Sequence, residues 1–298
     1  MEGYVATIGM FDGVHLGHRF VLRQVVQQAR ERGLRSMVIT FDHSPRDGHV
    51  LTPLARKVSL LAQSGVDRTE VLTFNDELRH LTARQFMQRE LKERLGVRVL
   101  LTGYDNRFGY NRAESFDDYV RYGCELGIEV LQLPPMVMEP SASVAPCVSS
   151  TLIRQQLLDG DVGAANRGLG YAYSLAGHVE HGEHIGSQLG FPTANVRPDD
   201  PCQLVPAAGV YAVKVWLGDS RAFKHGMMNI GCRPTFDGQH QTLEVNIFRL
   251  EEDLYGRQLT IAFVARLRDE RRFDDVEALK QQLRTDAARA EEVLNIEH

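Results

Sequence analysis

Tryptophan occurs once in these 298 residues and cysteine four times, at Cys124, Cys147, Cys202 and Cys232, with no C-x-x-C pair. That spacing argues against zinc ribbons and thioredoxin-type redox motifs and suits reduced thiols in a cytoplasm. No apolar run approaches the ~18 residues a membrane-spanning helix requires. The opening MEGYVATIG lacks the basic and apolar regions of a secretory leader. A cytoplasmic protein with no membrane partner is expected. An excess of positive charge is missing too: 34 Lys and Arg stand against 39 Asp and Glu, a net charge of −5. No general attraction to nucleic acid or anionic lipid follows from that balance. The stretch Arg266 to Arg272 is interrupted by Asp269 and Glu270 and reads as a solvated face. Neither G-x-x-x-x-G-K-[ST] nor G-x-G-x-x-G nor H-E-x-x-H occurs. A P-loop, a dinucleotide fingerprint and a zincin site are thereby excluded. His181-Gly182-Glu183-His184 has no third ligand at metal-site spacing. What remains is a globular composition, 43% hydrophobic and 24% charged, long enough for two domains with separate cores.

The first half alternates strand-like and helix-like segments. Tyr4–Ile8 is a β-rich run before a glycine-rich turn. Leu22, Val25, Val26 and Ala29 then mark one face of a helix, with Gly33 where a C-cap belongs. Ser36–Phe41, Val97–Thr102 and Glu129–Leu133 read as further strands, the last two flanking a helix near Glu114–Leu126. This spacing predicts an α/β domain with a parallel sheet. Pro134, Pro135, Pro140 and Pro146 mark a loop, followed by a helix from about Ser149 to Leu158 ending at Gly160. Beyond Tyr173 the chain reads as short strands: Ser174–Val179, Gly209–Leu217, Phe223–Ile230, Thr242–Phe248 and Gln258–Leu267. A small antiparallel barrel is expected there, closed by a helix from Asp275 to about Ile296. The boundary is placed near 160–172, giving domains 1–165 and 166–298.

Two regions carry chemistry. In the first, Gly9-Met10-Phe11-Asp12-Gly13-Val14-His15-Leu16-Gly17-His18 joins a strand to a helix. Open α/β sheets bind ligands at the carboxyl ends of their strands, and helix N-termini attract phosphate. Glycines admit the anion to the backbone and imidazoles donate to it. Ser149-Ser150-Thr151-Leu152-Ile153-Arg154 opens another helix with three hydroxyls and a guanidinium one turn in, a suitable cradle for phosphate oxygens. Taken alone, that segment is an ordinary N-cap. Gly103-Tyr104-Asp105-Asn106-Arg107-Phe108-Gly109 follows a strand end on the same side of the expected sheet. In the second region come Gly177-x-Val179-x-His181-Gly182, Leu189-Gly190-Phe191-Pro192-Thr193-Ala194-Asn195 and Gly209-Val210-Tyr211. Asn229-Ile230-Gly231-Cys232-Arg233-Pro234-Thr235-Phe236, Leu243-Glu244-Val245 and Tyr255-Gly256 complete the set.

Taken in order, these segments resemble the bacterial bifunctional riboflavin kinase/FAD synthetases. The resemblance implies a Rossmann-like nucleotidyltransferase domain followed by a riboflavin kinase-like β-barrel. It implies ATP-dependent phosphorylation of riboflavin to FMN, then adenylyl transfer from ATP to FMN, giving FAD and pyrophosphate. By the same match, His15, His18 and Arg154 contact ATP phosphates during adenylyl transfer. Gly9, Phe11, Asp12, Gly13, Gly17, Asp105, Ser149, Ser150 and Thr151 are then binding residues of that site. In the barrel, Thr193 and Asn195 become Mg²⁺ ligands and Glu244 the general base. Gly190, Phe191, Pro192, Asn229 and Arg233 line the kinase site. The base is chemically asked for only in the second half. A neutral riboflavin hydroxyl needs its proton removed, whereas an FMN phosphate is already an anion. Small molecules are the expected partners.

The chain departs from the family pattern at several positions. Ser44 and Leu152 replace a histidine and an arginine, Ser187 replaces a basic residue, and Asn246 replaces a histidine after the Glu-Val pair. The family pattern also opens with a further strand before Tyr4. A riboflavin kinase with a degenerate first half therefore stays open at this stage. A flavin-binding regulatory module without catalysis is the more remote alternative, since flavin binding alone requires neither metal ligands nor a base.

Overall fold

Apolar runs make the strands of the first half: β1 (Tyr4–Ile8), β2 (Arg35–Phe41), β3 (Arg68–Leu72), β4 (Val97–Thr102) and β5 (Glu129–Gln132). All pair in parallel in the order β3-β2-β1-β4-β5. The central strands are buried on both faces, which is why β1, β2 and β4 read as continuous apolar runs. The computed structural model describes residues 3–43, 49–103, 106–134, 148–181, 190–235, 238–273 and 275–295, with backbone alone at 112, 232–235 and 238–240. It divides into two compact units, Met1–Ser150 and Thr151–His298.

In the first unit, α1 (Leu16–Arg32) leaves β1 and ends at Gly33 in the left-handed conformation, as the sequence predicts. Its buried Leu22, Val25 and Ala29 face the sheet. Three helices were not foreseen between β2 and β4: α2 (Leu54–Ala62), α3 (Asp76–Arg79) and α4 (Ala83–Phe86), the last running into a π-helical stretch, Met87–Arg94. α5 (Phe116–Leu126) is fixed by a Ser115/Asp118 capping box. The chain leaves β1 toward β2 on one side and reaches β4 on the other. The carboxyl ends of β1 and β4 therefore flank the point where strand order reverses, the usual crevice of an open α/β sheet.

The second unit opens with α6 (Ser150–Leu158, from its second residue) and α7 (Val162–Leu169). Strands β6 (Ser174–Glu180), β7 (Ala194–Pro198), β8 (Gly209–Leu217), β9 (Phe223–Thr235), β10 (Gly238–Ile247) and β11 (Gln258–Arg268) then close an antiparallel barrel in the order β10-β7-β6-β11-β8-β9. Helix α8 (Val276–Asn295) lies on its outer face, where Ala290 and Leu294 pack with Val210, Ala212, Met227, Val264 and Leu267. Asp286, 3% exposed on α8, takes the Arg268 guanidinium at 2.8–3.1 Å and so clamps the helix to the end of β11. Among the described residues no helix is long and apolar enough to cross a membrane.

Candidate functional site

The turn after β1 is held from beneath. The Asp12 carboxylate accepts from the Leu51 and Thr52 amides at 3.0–3.1 Å, and Thr52 Oγ1 accepts from the Gly13 amide at 3.0 Å. Lys57, 4% exposed on α2, donates to the carbonyls of Met10 (3.2 Å) and Phe41 (2.7 Å), tying the ends of β1 and β2 together. Burial holds the Lys57 ammonium below its ordinary pKa, against the opposing pull of Asp12 and Asp42. Phe11 and Val14 carry positive φ of 49° and 36°, and Gly13 one of 83°. Backbone strain of this kind, ~1–3 kcal/mol per residue, persists where surrounding bonds impose it.

His15 caps α1, its Nδ1 accepting the His18 amide at 3.3 Å. An accepting Nδ1 puts the ring proton on Nε2, which can then donate. The two imidazoles stack at 3.6 Å between centroids, and Phe11 meets His18 edge-on at 5.1 Å. Burial pushes the His15 pKa down to about 4. His18 is held well below its ordinary value by burial first, then by His15 and Lys57. The pair is therefore neutral at pH 7. His18 Nδ1 is buried without a hydrogen-bond partner among the described residues, a polar atom left for a ligand.

The start of the serine segment docks on this turn. Ser150 Oγ donates to the Asp12 carbonyl at 2.8 Å, and a Cβ on Gly17 would stand 3.4 Å from the Val148 carbonyl. Gly9 lies beneath the Phe11 ring. Gly9, Phe11, Asp12, Gly13, His15, Gly17, His18 and Ser150 are thus assembled at one place, with Ser149 next along the chain. The Asp12 carboxylate is spent on the protein's own amides. Thr151 and Arg154 belong to the second unit, and Asp105 and Ser44 lie outside the described residues. Beside β1, the loop after β4 is fixed by Asn106, which donates to the Ile8 carbonyl, and by Tyr119, whose hydroxyl bonds the Phe108 amide and carbonyl, both at 3.0 Å. Gly109 closes that loop at φ +94°, where a Cβ would strike Ala83.

In the barrel, register brings candidate residues together. Asn195 on β7 pairs with Glu244 on β10, which pairs with Asn229 on β9. Residues directly opposite in antiparallel strands share a face, with Cβ atoms about 5 Å apart. Val210 extends the row on β8 and packs in the α8 cluster, so the row lies on the outer face of the barrel. Thr193, two residues before Asn195, leads into this face. Phe191 packs against the α8 cluster and anchors the turn, Gly190 precedes it at φ +81°, and the Pro192 carbonyl accepts from Asn246 Nδ2 at 2.7 Å. Thr242 Oγ1, Glu270 Oε1 and Asn229 Nδ2 all crowd the place a Cβ on Gly231 would take. Arg233 lies on β9 opposite His240; its side chain, like Ser187, is outside the described residues. His181 stacks on Tyr255 at 3.6 Å, and His184 is outside the description. Sequence reasoning did not single out Lys57. It noted Asn246 only as a departure from the family pattern, not as a tie to the Pro192 turn.

A glycine- and histidine-rich turn on a parallel sheet and a carboxylate-and-amide row on a barrel lie in a chain of the class that transfers phosphorus-containing groups. Residues 1–151 match the family described as FAD synthetase, and residues 169–294 the family described as Riboflavin kinase. A bifunctional riboflavin kinase/FMN adenylyltransferase of Pseudomonas fluorescens is 39% identical over 97% of this chain and 92% of its own length. Its namesake in Escherichia coli K12 is 36% identical over 99% and 94%. The crystal structure of a protein named macrolide-efflux protein, from Streptococcus pneumoniae, superposes with a TM-score of 0.85 at 32% identity, covering 96% of this chain and 93% of that one. The chain belongs to the bifunctional riboflavin kinase/FMN adenylyltransferase family, enzymes that phosphorylate riboflavin to FMN and adenylylate FMN to FAD with ATP.

Proposed function

We propose that residues 1–165 carry out adenylyl transfer and residues 166–298 the kinase reaction, with the following residues at work. In the kinase, the terminal hydroxyl of riboflavin attacks the γ-phosphorus of ATP, Glu244 takes its proton, and ADP leaves. The cross-strand row Asn195–Glu244–Asn229 is the observation that carries this reading, because it sets a carboxylate directly beside amide oxygens on one face. Thr193 and Asn195 fit Mg²⁺: neutral oxygens suit a hard cation that takes its negative ligands from the nucleotide. Bound there, the ion would neutralise charge on the phosphate oxygens. Asn229, Arg233 and the Gly190–Pro192 turn line the same pocket.

In the first half, a phosphate oxygen of FMN attacks the α-phosphorus of ATP and pyrophosphate leaves. No base is required. The protein's work is to align two anions and donate to them. His15 Nε2–H and His18 are neutral donors at the amino end of α1, where the helix dipole adds its attraction. Ser149, Ser150, Thr151 and Arg154 are proposed to complete the phosphate contacts, and Asp105 to help hold the nucleotide. The reading places the enzyme in the cytoplasm, without nucleic-acid or membrane partners. Incubation with riboflavin and Mg-ATP, followed by separation of FMN from FAD, tests it: both products are expected in sequence. FMN without FAD would instead reveal a kinase with an inactive first half.

A further inference from the structure

Asn246 stands on β10 two residues after Glu244, so both side chains lie on the same face of the strand. It is only 6% exposed, and its Nδ2 donates to the Pro192 carbonyl at 2.7 Å. Pro192 immediately precedes Thr193. Among the described residues, Gly190 sits in the left-handed region, Pro192 has no amide hydrogen, and Phe191 packs apolarly against the α8 cluster. Ladder pairing between β7 and β10 covers Ala194 and Asn195 and stops short of Thr193. The Asn246 bond therefore supplies a directional tie from β10 to the turn, beside Thr193 and on the strand that carries Glu244.

We infer that Asn246 is a positioning residue of the kinase, a latch that carries the geometry of the Thr193 turn on the same strand as the base. This rests on the proposal that Thr193 and Asn195 hold Mg²⁺. The residue touches no reacting atom, and its effect passes through the Pro192 carbonyl. An apolar residue of similar volume leaves that carbonyl unpaired and frees the turn, whereas a histidine retains a ring N–H donor.

Trp216, the chain's single tryptophan, lies on β8, so its fluorescence reports unfolding of the barrel. The measurement is the rise in the Trp216 unfolding midpoint produced by Mg-ADP beyond that produced by ADP with EDTA. In the full-length protein, N246L and N246S are expected to lose most of this Mg²⁺-dependent increment. The Mg²⁺ concentration for half-maximal riboflavin phosphorylation should rise about tenfold, the equivalent of ~1.4 kcal/mol. N246H should restore both. An increment in folded N246L or N246S equal to wild type overturns the latch. N246S, smaller than asparagine, supplies the test if N246L does not fold. T193A and N195A separate this from the underlying reading. If they too keep the full increment, the metal ligands lie elsewhere; if they lose it while N246L and N246S keep it, only the latch fails.

Discussion

Glu244 and His15 show opposite uses of a titratable side chain. Glu244 sits in a half-exposed strand position with Asn195 and Asn229 on either side. Glu244→Gln keeps size and hydrogen bonding but removes the carboxylate proposed to accept the proton. Riboflavin kinase turnover should fall about 10²–10⁴-fold with little change in Mg-ATP affinity. Near wild-type turnover of the purified variant, measured by FMN release, would remove Glu244 from the role of base. His15 stays neutral at pH 7, which suits the donor role proposed for it. Its pKa is pushed from 6.5 to about 4 by burial, so below pH 6.5 the unfolded chain binds more protons than the folded one. The stabilisation is complete above pH 6.5 and is lost as pH falls toward 4, a drop of roughly 3 kcal/mol over that window. Chemical denaturation at successive pH values should show it, and His15→Asn, which keeps an N-cap acceptor but does not titrate, should flatten the slope. An unchanged slope would mean that His15 is not the group titrating.

At the scale of elements, the helix α2 (Leu54–Ala62) matters to the first site through Lys57. Lys57→Met leaves the Met10 carbonyl with Thr40 Oγ1 as donor at 3.1 Å but strips the Phe41 carbonyl of its ammonium. A cost of about 1–3 kcal/mol in the stability of this unit follows. FAD formation from FMN should drop while riboflavin phosphorylation continues; equal loss of both would contradict a role confined to the β1 turn. Nothing in LARKVSLLA announces this lysine. In a short amphipathic segment it reads as a solvent-facing residue, and only the tertiary fold turns it inward. α1 was legible because its apolar face repeats over four positions before a C-cap glycine. β7 was hidden for the reverse reason. Its sequence ANVRP is brief and polar, and barrel closure rather than propensity makes it a strand. The motif segments proposed for both sites stood out in the sequence, since glycine-rich turns and a Phe-Pro-Thr-Ala-Asn run are local features. The supports beneath them, Thr52, Lys57 and the Asn246 bond to Pro192, were not, because each acts across a distance in sequence that periodicity does not encode.

The whole molecule holds two reactions in which the product of one is the substrate of the other, and the residues proposed for them form separate sets. His18 belongs to the first unit and Glu244 to the second. His18→Ala should abolish FAD formation and leave FMN formation intact, so riboflavin and Mg-ATP yield FMN alone. Glu244→Gln should do the converse, converting supplied FMN to FAD but leaving riboflavin nearly untouched. Neither residue belongs to the apolar clusters described for the two units. A mixture of the two full-length variants then contains one working kinase site and one working adenylyltransferase site, on different chains. If FMN leaves the barrel for solution before it is adenylylated, the mixture should make FAD from riboflavin. FMN should build up first, at a rate set by the His18→Ala component, with FAD following in proportion to the Glu244→Gln component. Chromatographic time courses of the mixture and of each variant alone measure this directly. A mixture that makes FMN but no FAD, while Glu244→Gln alone still adenylylates added FMN, would show that the intermediate does not pass through solution. Loss of both activities in folded His18→Ala would defeat the assignment of the histidines to one reaction only.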